Sequence, residues 1–406
     1  MAEVSAQRIA VLGATHPYRG GVAAHTTETA HRLAAAGHDV DLVSWSRLLP
    51  EALYPGERTT PDGGPDLPPY PRTSRPLRWD RPATWWRTGR SLRDRDLVVV
   101  VLVVPAQVPA LLTTIRAVRG RGVGRRPGRA DPAGRPRVVL LVHNVLPHET
   151  HPGDRRLVRL ALRAVDDVLV HSDAMAAQAR EIGGEGLRVA VADLPPHLPG
   201  GGPEAGVRAA NERLAQRRRA AGDPLRVLCL GMVRPYKGVD LLLEAVRDVP
   251  GVEVTVAGEQ WGAAGARVRA LAAEPGLAGR VHLRSGYLPG VDVPGMLAGH
   301  DVLALPYRSA TASQNVLLAH AHGLPVLATR VGTFGSQIAD GVDGVLVEPD
   351  SVAALAAGLR RLVEPGAAGA LQAAVPAVDL DGPWDAYVTA LTCAPVPSTT
   401  PTGVPR

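Results

Sequence analysis

Lys237 is the only lysine in a chain of 406 residues, in which every other basic side chain is an arginine. Together with Arg234 it follows the apolar run 225–230 and Gly231, which predict a buried strand and a turn; a helix is predicted from Val239. Such a turn leaves backbone N–H groups unpaired at the positive end of the helix dipole, where phosphate binds. The arginine adds a bidentate fork and the lysine a point charge. The stretch therefore predicts a phosphate site; the alternative is a solvated loop lysine.

A second group of polar residues follows another predicted strand, 137–142. His143 and Asn144 come first, and His148 and Glu149 complete the group within seven residues. Ligands of open α/β sheets bind at the carboxyl ends of the strands, so these residues are candidate substrate contacts. The alternative for His143 is a histidine that is hydrogen-bonded within the protein. Because no HExxH motif or Cys/His spacing accompanies them, we expect no metal site.

Gly20 and Gly21 lie between the first predicted strand, 8–13, and a predicted helix, 22–36. Glycine at such a turn lets the backbone approach an anion or a sugar closely. On its own the signal is weak, because glycine is common at strand-to-helix turns of any α/β protein.

Strands that alternate with helices predict an α/β fold, and the length predicts two domains. Six strands are predicted in each half, giving two doubly wound, Rossmann-like domains that face each other across a cleft. The predicted domains are 1–198 and 199–380. They are followed by a helix in 381–393 that packs back on the first domain and by a disordered tail, 394–406.

Two segments interrupt the alternation of strands and helices. Residues 48–93 are rich in proline and arginine without a period, which predicts a long irregular excursion. Its tryptophans are Trp79, Trp85 and Trp86. Two roles are open for them: they anchor the excursion to the rest of the domain, or they stack on a sugar. Residues 119–137 hold seven arginines among glycines and prolines and predict a flexible basic loop. With the basic amphipathic stretch 155–163, this loop makes an anionic membrane surface a candidate partner.

Charge and cysteine content narrow the class of protein. A net charge of +6 suits an anionic ligand, whereas scattered arginines and only 3% aromatic residues argue against nucleic acid. The two cysteines form no disulfide framework, which indicates a reducing compartment. We see no signal peptide and no apolar run near the ~20 residues that span a bilayer. The sequence thus predicts a cytoplasmic protein, with or without peripheral contact at the inner membrane face.

Four stretches, in their order and spacing, resemble the GT-B glycosyltransferases of the GT4 family. They are PYRGGVAAHTTETAHRLAAAGHDV, HNVLPHE, GMVRPYKGVDLLLEAV, and AHAHGLPVLATRVG with the IADGVDGVLVEPDSVAALAAGL that follows it. The similarity covers nearly the whole chain. It implies retaining transfer of a sugar from a UDP- or GDP-linked donor to a glycan, lipid-linked glycan or other glycoconjugate, with no cofactor and no metal.

The resemblance also implies roles for individual residues. Arg234 and Lys237 would stabilise the departing diphosphate, His143 would orient the sugar, and Gly20 and Gly21 would approach the diphosphate from the other domain. The further substrate contacts that we expect are Asn144, Gly231, Gly258, Glu259, Tyr287 and the helix-start residues Gln314, Asn315 and Val316.

The sequence departs from the family at its acidic positions. The paired glutamates of the family fall at Ala310 and Leu318, and a third falls at Ser336. A subset of the family resembles the Tyr-Arg-Ser-Ala-Thr stretch at 307–311, so the departure does not exclude activity. Two other functions stay open: a nucleotide-sugar epimerase of similar fold, and a degenerate protein that binds a nucleotide sugar without turnover.

Overall fold

The computed structural model describes residues 6–48, 67–120, 134–147, 151–199, 202–310 and 313–393. The chain divides into two compact units. The first contains the described residues 6–48 and Pro68–Pro195, and it takes up the chain again from Asp381. The second contains Pro196–Leu380.

The first unit is built on a parallel sheet. Its strands are β1 (Arg8–Leu12), β2 (Asp39–Arg47), β3 (Thr73–Arg78), β4 (Leu97–Leu102), β5 (Arg137–Val142), β6 (Asp167–Val170) and β7 (Val189–Val191). Its helices are α1 (Gly21–Ala35), α2 (Pro82–Ser91), α3 (Val108–Arg119), α4 (Asp154–Arg163), α5 (Asp173–Gly183) and, after the second unit, α14 (Gly382–Thr392). Within the described residues the strand order is β3-β2-β1-β4-β5-β6-β7. The direction of winding therefore changes between β1 and β4, and open α/β sheets bind ligands at the carboxyl ends of the strands at such a point.

Strand β4 shows why this sheet is covered on both faces. All its residues are buried. Val98 and Val100 join the core cluster formed with α3, α4 and α5, whereas Val99 and Val101 join the cluster formed with α1 and α14. A strand buried on both faces is apolar throughout, which is the pattern of the central strands of parallel sheets.

The prediction of an irregular excursion over 48–93 is wrong for the second half of this segment, which contains strand β3 and helix α2. The first unit therefore has seven strands in its described part, against the six predicted. Among the described strands β3 pairs only with β2, at the edge of the sheet. It buries only Leu77, so its sequence shows no alternation of apolar and polar residues. In α2, Trp85 Nε1 donates to the carbonyl oxygen of Arg78 at 2.7 Å, which makes Trp85 an anchor. Trp79 and Trp86 are 40% and 39% exposed.

The basic loop predicted over 119–137 is shorter than expected. Arg119 is the last residue of α3 and forms an ion pair with Asp166 at 3.1 Å. Arg137 is the first residue of β5, and its Nε donates to the buried Asp167 at 2.5 Å. Residues 121–133 lie outside the described residues.

Helix α14 packs against the first sheet. Trp384 and Tyr387 are fully buried among residues of β1, β4 and β5. At the end of the helix, Arg137 Nη1 donates to the carbonyl oxygens of Leu391 and Thr392 at 3.0 and 3.1 Å. The arginine thereby satisfies carbonyl groups that a helix terminus leaves without partners.

The second unit repeats the plan. Its strands are β8 (Leu225–Leu230), β9 (Val252–Gly258), β10 (Val281–Ser285), β11 (Val302–Leu305), β12 (Val326–Thr329) and β13 (Gly344–Val347). Its helices are α6 (Val207–Ala220), α7 (Val239–Arg247), α8 (Gly262–Ala272), α9 (Val293–Ala298), α10 (Gln314–Ala321), α11 (Phe334–Gln337), α12 (Val352–Val363) and α13 (Ala367–Ala374). The strand order is β10-β9-β8-β11-β12-β13, so the winding changes direction between β8 and β11.

Candidate functional site

The turn that carries Lys237 joins β8 to α7 at the carboxyl end of the second sheet. It is a 3-10 turn, Pro235–Lys237, and it is followed by Gly238 in the left-handed region with φ 61°. A Cβ atom at Gly238 would lie 2.0 Å from the carbonyl oxygen of Pro306. Only glycine therefore lets the turn lie against the chain that leaves β11, on the other side of the switch point.

The Lys237 ammonium lies over an aromatic ring. Its Nζ is 5.6 Å from the centroid of the Tyr307 ring, within the range of a cation–π interaction. Burial lowers the pKa of Lys237, and the neighbouring charge of Arg234 lowers it further, whereas Tyr236 and Cys229 act in the opposite direction. None of the described carboxylates is among the groups that act on this pKa. A partly desolvated ammonium of this kind gains more from an anionic ligand than an exposed lysine does.

Two glycines bring the loops after β8 and β9 into contact. Gly231 and Gly258 have φ angles of 103° and 143°. A Cβ at Gly258 would lie 2.4 Å from the carbonyl oxygen of Gly231, and one at Gly231 would lie 3.0 Å from Lys237 Nζ. Val233 N–H donates to the carbonyl oxygen of the buried Glu259 at 2.8 Å. The structure thus places Gly231, Gly258 and Glu259 around the Lys237 turn.

Helix α10 begins beside the same turn. Asn315 Nδ2 donates to the carbonyl oxygen of Leu230 at 3.3 Å and reaches the Tyr307 hydroxyl at 3.5 Å. The backbone N–H of Asn315, however, donates to Oγ of Ser313, the N-cap residue. The N-cap serine thus satisfies one of the N–H groups that a helix start leaves without a backbone partner. Gln314 Oε1 accepts from the backbone N–H of His197 at 3.2 Å, and Val316 is buried.

Two of the three residues at the family's acidic positions belong to the apolar core or pack against it. Leu318 is buried in the cluster beneath α10, and Ala310 packs against the same cluster. Ser336 is exposed. Tyr287 is half-buried in the loop after β10, the edge strand two positions from β8.

Sequence reasoning assigned no role to Arg308, which follows Tyr307 in the chain. Its Nη1 and Nη2 donate to the two carboxylate oxygens of Asp240 at 2.9 and 2.8 Å. Nη1 also donates to the carbonyl oxygen of Pro235 at 2.7 Å. The hydrogen bonds with Asp240 raise the pKa of Arg308. The signal in the sequence was the resemblance of 307–311 to a subset of the family, which carried no assignment for this residue.

In the first unit, His143 belongs to a cluster of aromatic side chains. It follows β5, and its ring centroid lies 4.7 Å from that of His25 on α1 and 5.0 Å from that of His171, which follows β6. His25 stacks on Trp384 of α14 with centroids 5.4 Å apart. Burial lowers the pKa of His171 to about 4. Sequence reasoning identified His143 but missed its two histidine neighbours, which lie on separate elements.

Gly20 and Gly21 begin helix α1, and both are exposed. Gly20 is the N-cap residue with φ 102°, and a Cβ there would meet no atom within 4 Å. The backbone thus faces open space, as an approach to a ligand requires. Asn144 is half-buried, and His148 and Glu149 lie outside the described residues. No three His, Cys, Asp or Glu side chains in the described ranges are placed to hold a metal ion; metal independence stays a prediction.

Comparison with protein families matches both halves of the chain. The model of the family described as Glycosyltransferase Family 4 matches residues 19–192, and that of Glycosyl transferases group 1 matches residues 224–365. The chain belongs to the GT4 family of glycosyltransferases. The predicted family is thereby confirmed.

Part of the chain is similar in sequence to known glycosyltransferases. D-inositol 3-phosphate glycosyltransferase of Geodermatophilus obscurus is 36% identical over 169 residues, which are 37% of this chain and 36% of that one. The chain thus matches about a third of this relative's length.

Two solved structures cover 95% of this chain, and this chain covers 95% of each of them. Sucrose-phosphate synthase from Thermosynechococcus elongatus has a TM-score of 0.64 at 18% identity. Anabaena HepE in complex with UDP-glucose has a TM-score of 0.63 at 16% identity. Similarity at these identities shows the fold, and the predicted GT-B class of two Rossmann-like units is confirmed.

Proposed function

We propose that this protein transfers a sugar from a nucleotide-diphosphate sugar to an acceptor hydroxyl. The observation that carries the proposal is the half-buried Lys237 ammonium at the switch point of the second sheet, where glycine turns bring the loops after β8, β9 and β11 close together. Anabaena HepE, which shares the fold, is in complex with UDP-glucose, and this supports a nucleotide sugar as donor.

The proposed chemistry is electrostatic. Breaking the bond between the anomeric carbon and the diphosphate leaves negative charge on the departing phosphate oxygens. Lys237 and Arg234 stabilise that charge, a task that a metal ion performs in other transferases. Since the turn is fixed before the donor binds, little reorganisation accompanies the reaction.

We further propose that transfer retains the anomeric configuration through attack on the same face. A carboxylate nucleophile has no candidate at Ala310 or Leu318, because both side chains are apolar. The leaving phosphate oxygen then accepts the proton of the acceptor hydroxyl. His143, held by its histidine neighbours, orients the transferred sugar.

The test is a thermal-shift panel of UDP-, GDP- and ADP-linked sugars with purified protein. A ligand that binds only the folded state at a hundred times its Kd adds about 2.7 kcal/mol of stability, so one donor class should raise the melting temperature. The Lys237→Ala variant is expected to lose this shift. A panel in which no nucleotide sugar raises the melting temperature would contradict the proposal.

Turnover separates the proposed transferase from the two other functions. With the donor that the panel identifies, a transferase releases the nucleoside diphosphate and passes the sugar to an acceptor or to water. An epimerase instead returns an isomeric nucleotide sugar, and a non-catalytic protein returns the donor unchanged.

We also propose that the acceptor lies at an anionic membrane surface. None of the described helices is long and apolar enough to cross a membrane, so contact would be peripheral. The outer face of α4 exposes Arg155, Arg156, Arg159 and Arg163 together with Leu160, which is 45% exposed. Basic side chains near anionic lipid contribute about 1 kcal/mol each.

The prediction is that the protein floats with vesicles that contain phosphatidylglycerol and that Arg156→Glu with Leu160→Ser lowers the bound fraction about tenfold. A matched control on α6 of the second unit, Arg213→Glu with Leu214→Ser, makes the same change of charge and apolarity at exposed positions. Equal losses in the two variants, or no flotation of the unaltered protein, would refute the membrane contact.

A further inference from the structure

We propose that Arg308 is a positioning residue for Lys237, a role that deepens the proposed function and rests on it. Arg308 and Lys237 lie 71 positions apart in the numbering, on loops that follow β11 and β8. These two strands pair in the sheet. The loop after β11 acts on the Lys237 turn through two successive residues.

The first residue, Tyr307, supplies the ring beneath the ammonium. Its side chain is buried, and burial raises the pKa of its hydroxyl to about 12. Thr329 Oγ1 donates to the carbonyl oxygen of Tyr307 at 2.6 Å, which ties the loop to β12. The ring is therefore a fixed surface on which the lysine side chain rests.

The second residue, Arg308, holds the backbone immediately before Lys237. Its backbone N–H donates to the carbonyl oxygen of Tyr236 at 2.7 Å, and its Nη1 donates to that of Pro235 at 2.7 Å. Two consecutive carbonyl groups of the 3-10 turn are thus fixed by one residue. Since φ and ψ at these residues set the direction of the Lys237 side chain, Arg308 controls where the ammonium points.

The rest of the guanidinium is used to hold Arg308 itself in place. Its fork binds both oxygens of Asp240, in the first turn of α7, and its Nε lies 3.0 Å from Oδ1 of Asp350, which precedes α12. The side chain is 29% exposed. A lysine at this position would keep the charge but could not reproduce the planar fork and the carbonyl bond together.

The position of Arg308 distinguishes it from a ligand-binding arginine. Nη1, Nη2 and Nε all have protein partners, so the guanidinium acts through the turn. Its effect on a bound diphosphate therefore passes through Lys237. Such dependence predicts strong non-additivity between changes at the two positions.

A double-mutant cycle measures this dependence with inorganic pyrophosphate as the probe and titration calorimetry as the readout. Lys237→Ala is expected to weaken pyrophosphate binding about tenfold, the effect of losing one charge-assisted hydrogen bond. Arg308→Lys is expected to weaken it about fivefold in the unaltered protein and less than twofold in the Lys237→Ala background.

Arg330→Lys is the matched control. Arg330 lies in the same unit, pairs with Asp340 at 2.8 Å, and has no contact with the Lys237 turn among its described hydrogen bonds and ion pairs. It should change pyrophosphate affinity by less than twofold. Asp240→Asn removes the negative charge and one of the two acceptor oxygens of the fork and leaves Arg308 in place. It repeats the cycle independently and carries the test should Arg308→Lys fail to fold.

The outcomes separate the two proposals. Equal weakening by Arg308→Lys in both backgrounds, or no weakening in the unaltered protein, overturns the positioning role and leaves the proposed function standing. Pyrophosphate binding that is undetectable in the unaltered protein, or that Lys237→Ala leaves unchanged, overturns the proposed function and the positioning role with it.

Discussion

Replacing Lys237 and Arg234 together by alanine lowers kcat/KM for sugar transfer by about a thousandfold or more, since removing a single preorganised donor from a developing anion costs about 10²–10³. Each single variant loses about a hundredfold. Both side chains act on the leaving diphosphate, whose charge is largest in the transition state, so the loss falls mainly on kcat. Steady-state kinetics with the donor found by the nucleotide-sugar panel measure the effect.

Two controls accompany this prediction. Arg247→Ala removes an arginine of the same unit at the last residue of α7, where it pairs with Glu274, and should leave the rate nearly unchanged. Lys237→Arg keeps a charge that does not titrate. Because burial lowers the pKa of Lys237, activity of the unaltered enzyme should fall with rising pH before a free lysine would titrate, and Lys237→Arg should remove that limb. A rate preserved in both alanine variants would disprove the diphosphate role.

Replacing Trp384 by alanine lowers the free energy of unfolding of the first unit by about 3–5 kcal/mol, the range for large aromatic side chains removed from a core. The ring is 1% exposed and packs between α14 and the sheet, stacked on His25. Urea denaturation followed by hydrogen exchange of β1 and β4 amides reports on this unit separately from the second.

Trp79→Ala is the matched control for this prediction. Trp79 is 40% exposed, and surface substitutions of this kind usually change stability by no more than about 0.5 kcal/mol. Because His25 also contacts His143, Trp384→Ala should in addition lower transfer activity at temperatures where the unit remains folded. Equal midpoints for the two tryptophan variants would show that α14 contributes little to the first unit.

Sequence reasoning succeeded where elements are buried and bounded by glycine. Strand β8 spans Leu225–Leu230 and helix α7 begins at Val239, as predicted. Both elements bury an apolar face, so their periods are visible in the sequence. The edge strand β3 buries only Leu77. Its sequence therefore lacks the alternation of apolar and polar residues from which a strand is predicted.

Local patterns in the sequence predicted the candidate site only where its residues lie in one stretch, and Gly258, Glu259 and Asn315 were predicted from the resemblance to the family. Gly231 and Lys237 follow the same strand, and the sequence alone marks them. Tyr307 and Arg308 come from a strand that pairs with β8 only because the winding reverses there. No local sequence pattern predicts the order of strands in a sheet. The contact of Tyr307 and Arg308 with the Lys237 turn could therefore be found only from the structure.

Helix α14 determines which of the two units is completed last during synthesis of the chain. The helices and strands of the second unit all lie within Pro196–Leu380, whereas the first unit receives its final helix only after that segment has been made. Until Trp384 and Tyr387 have left the ribosome, the apolar residues Ile9, Val99 and Leu141 lack the cover they have in the finished protein. The unit that is begun first is therefore completed last, and a nascent chain arrested before Asp381 would offer a chaperone an open apolar face.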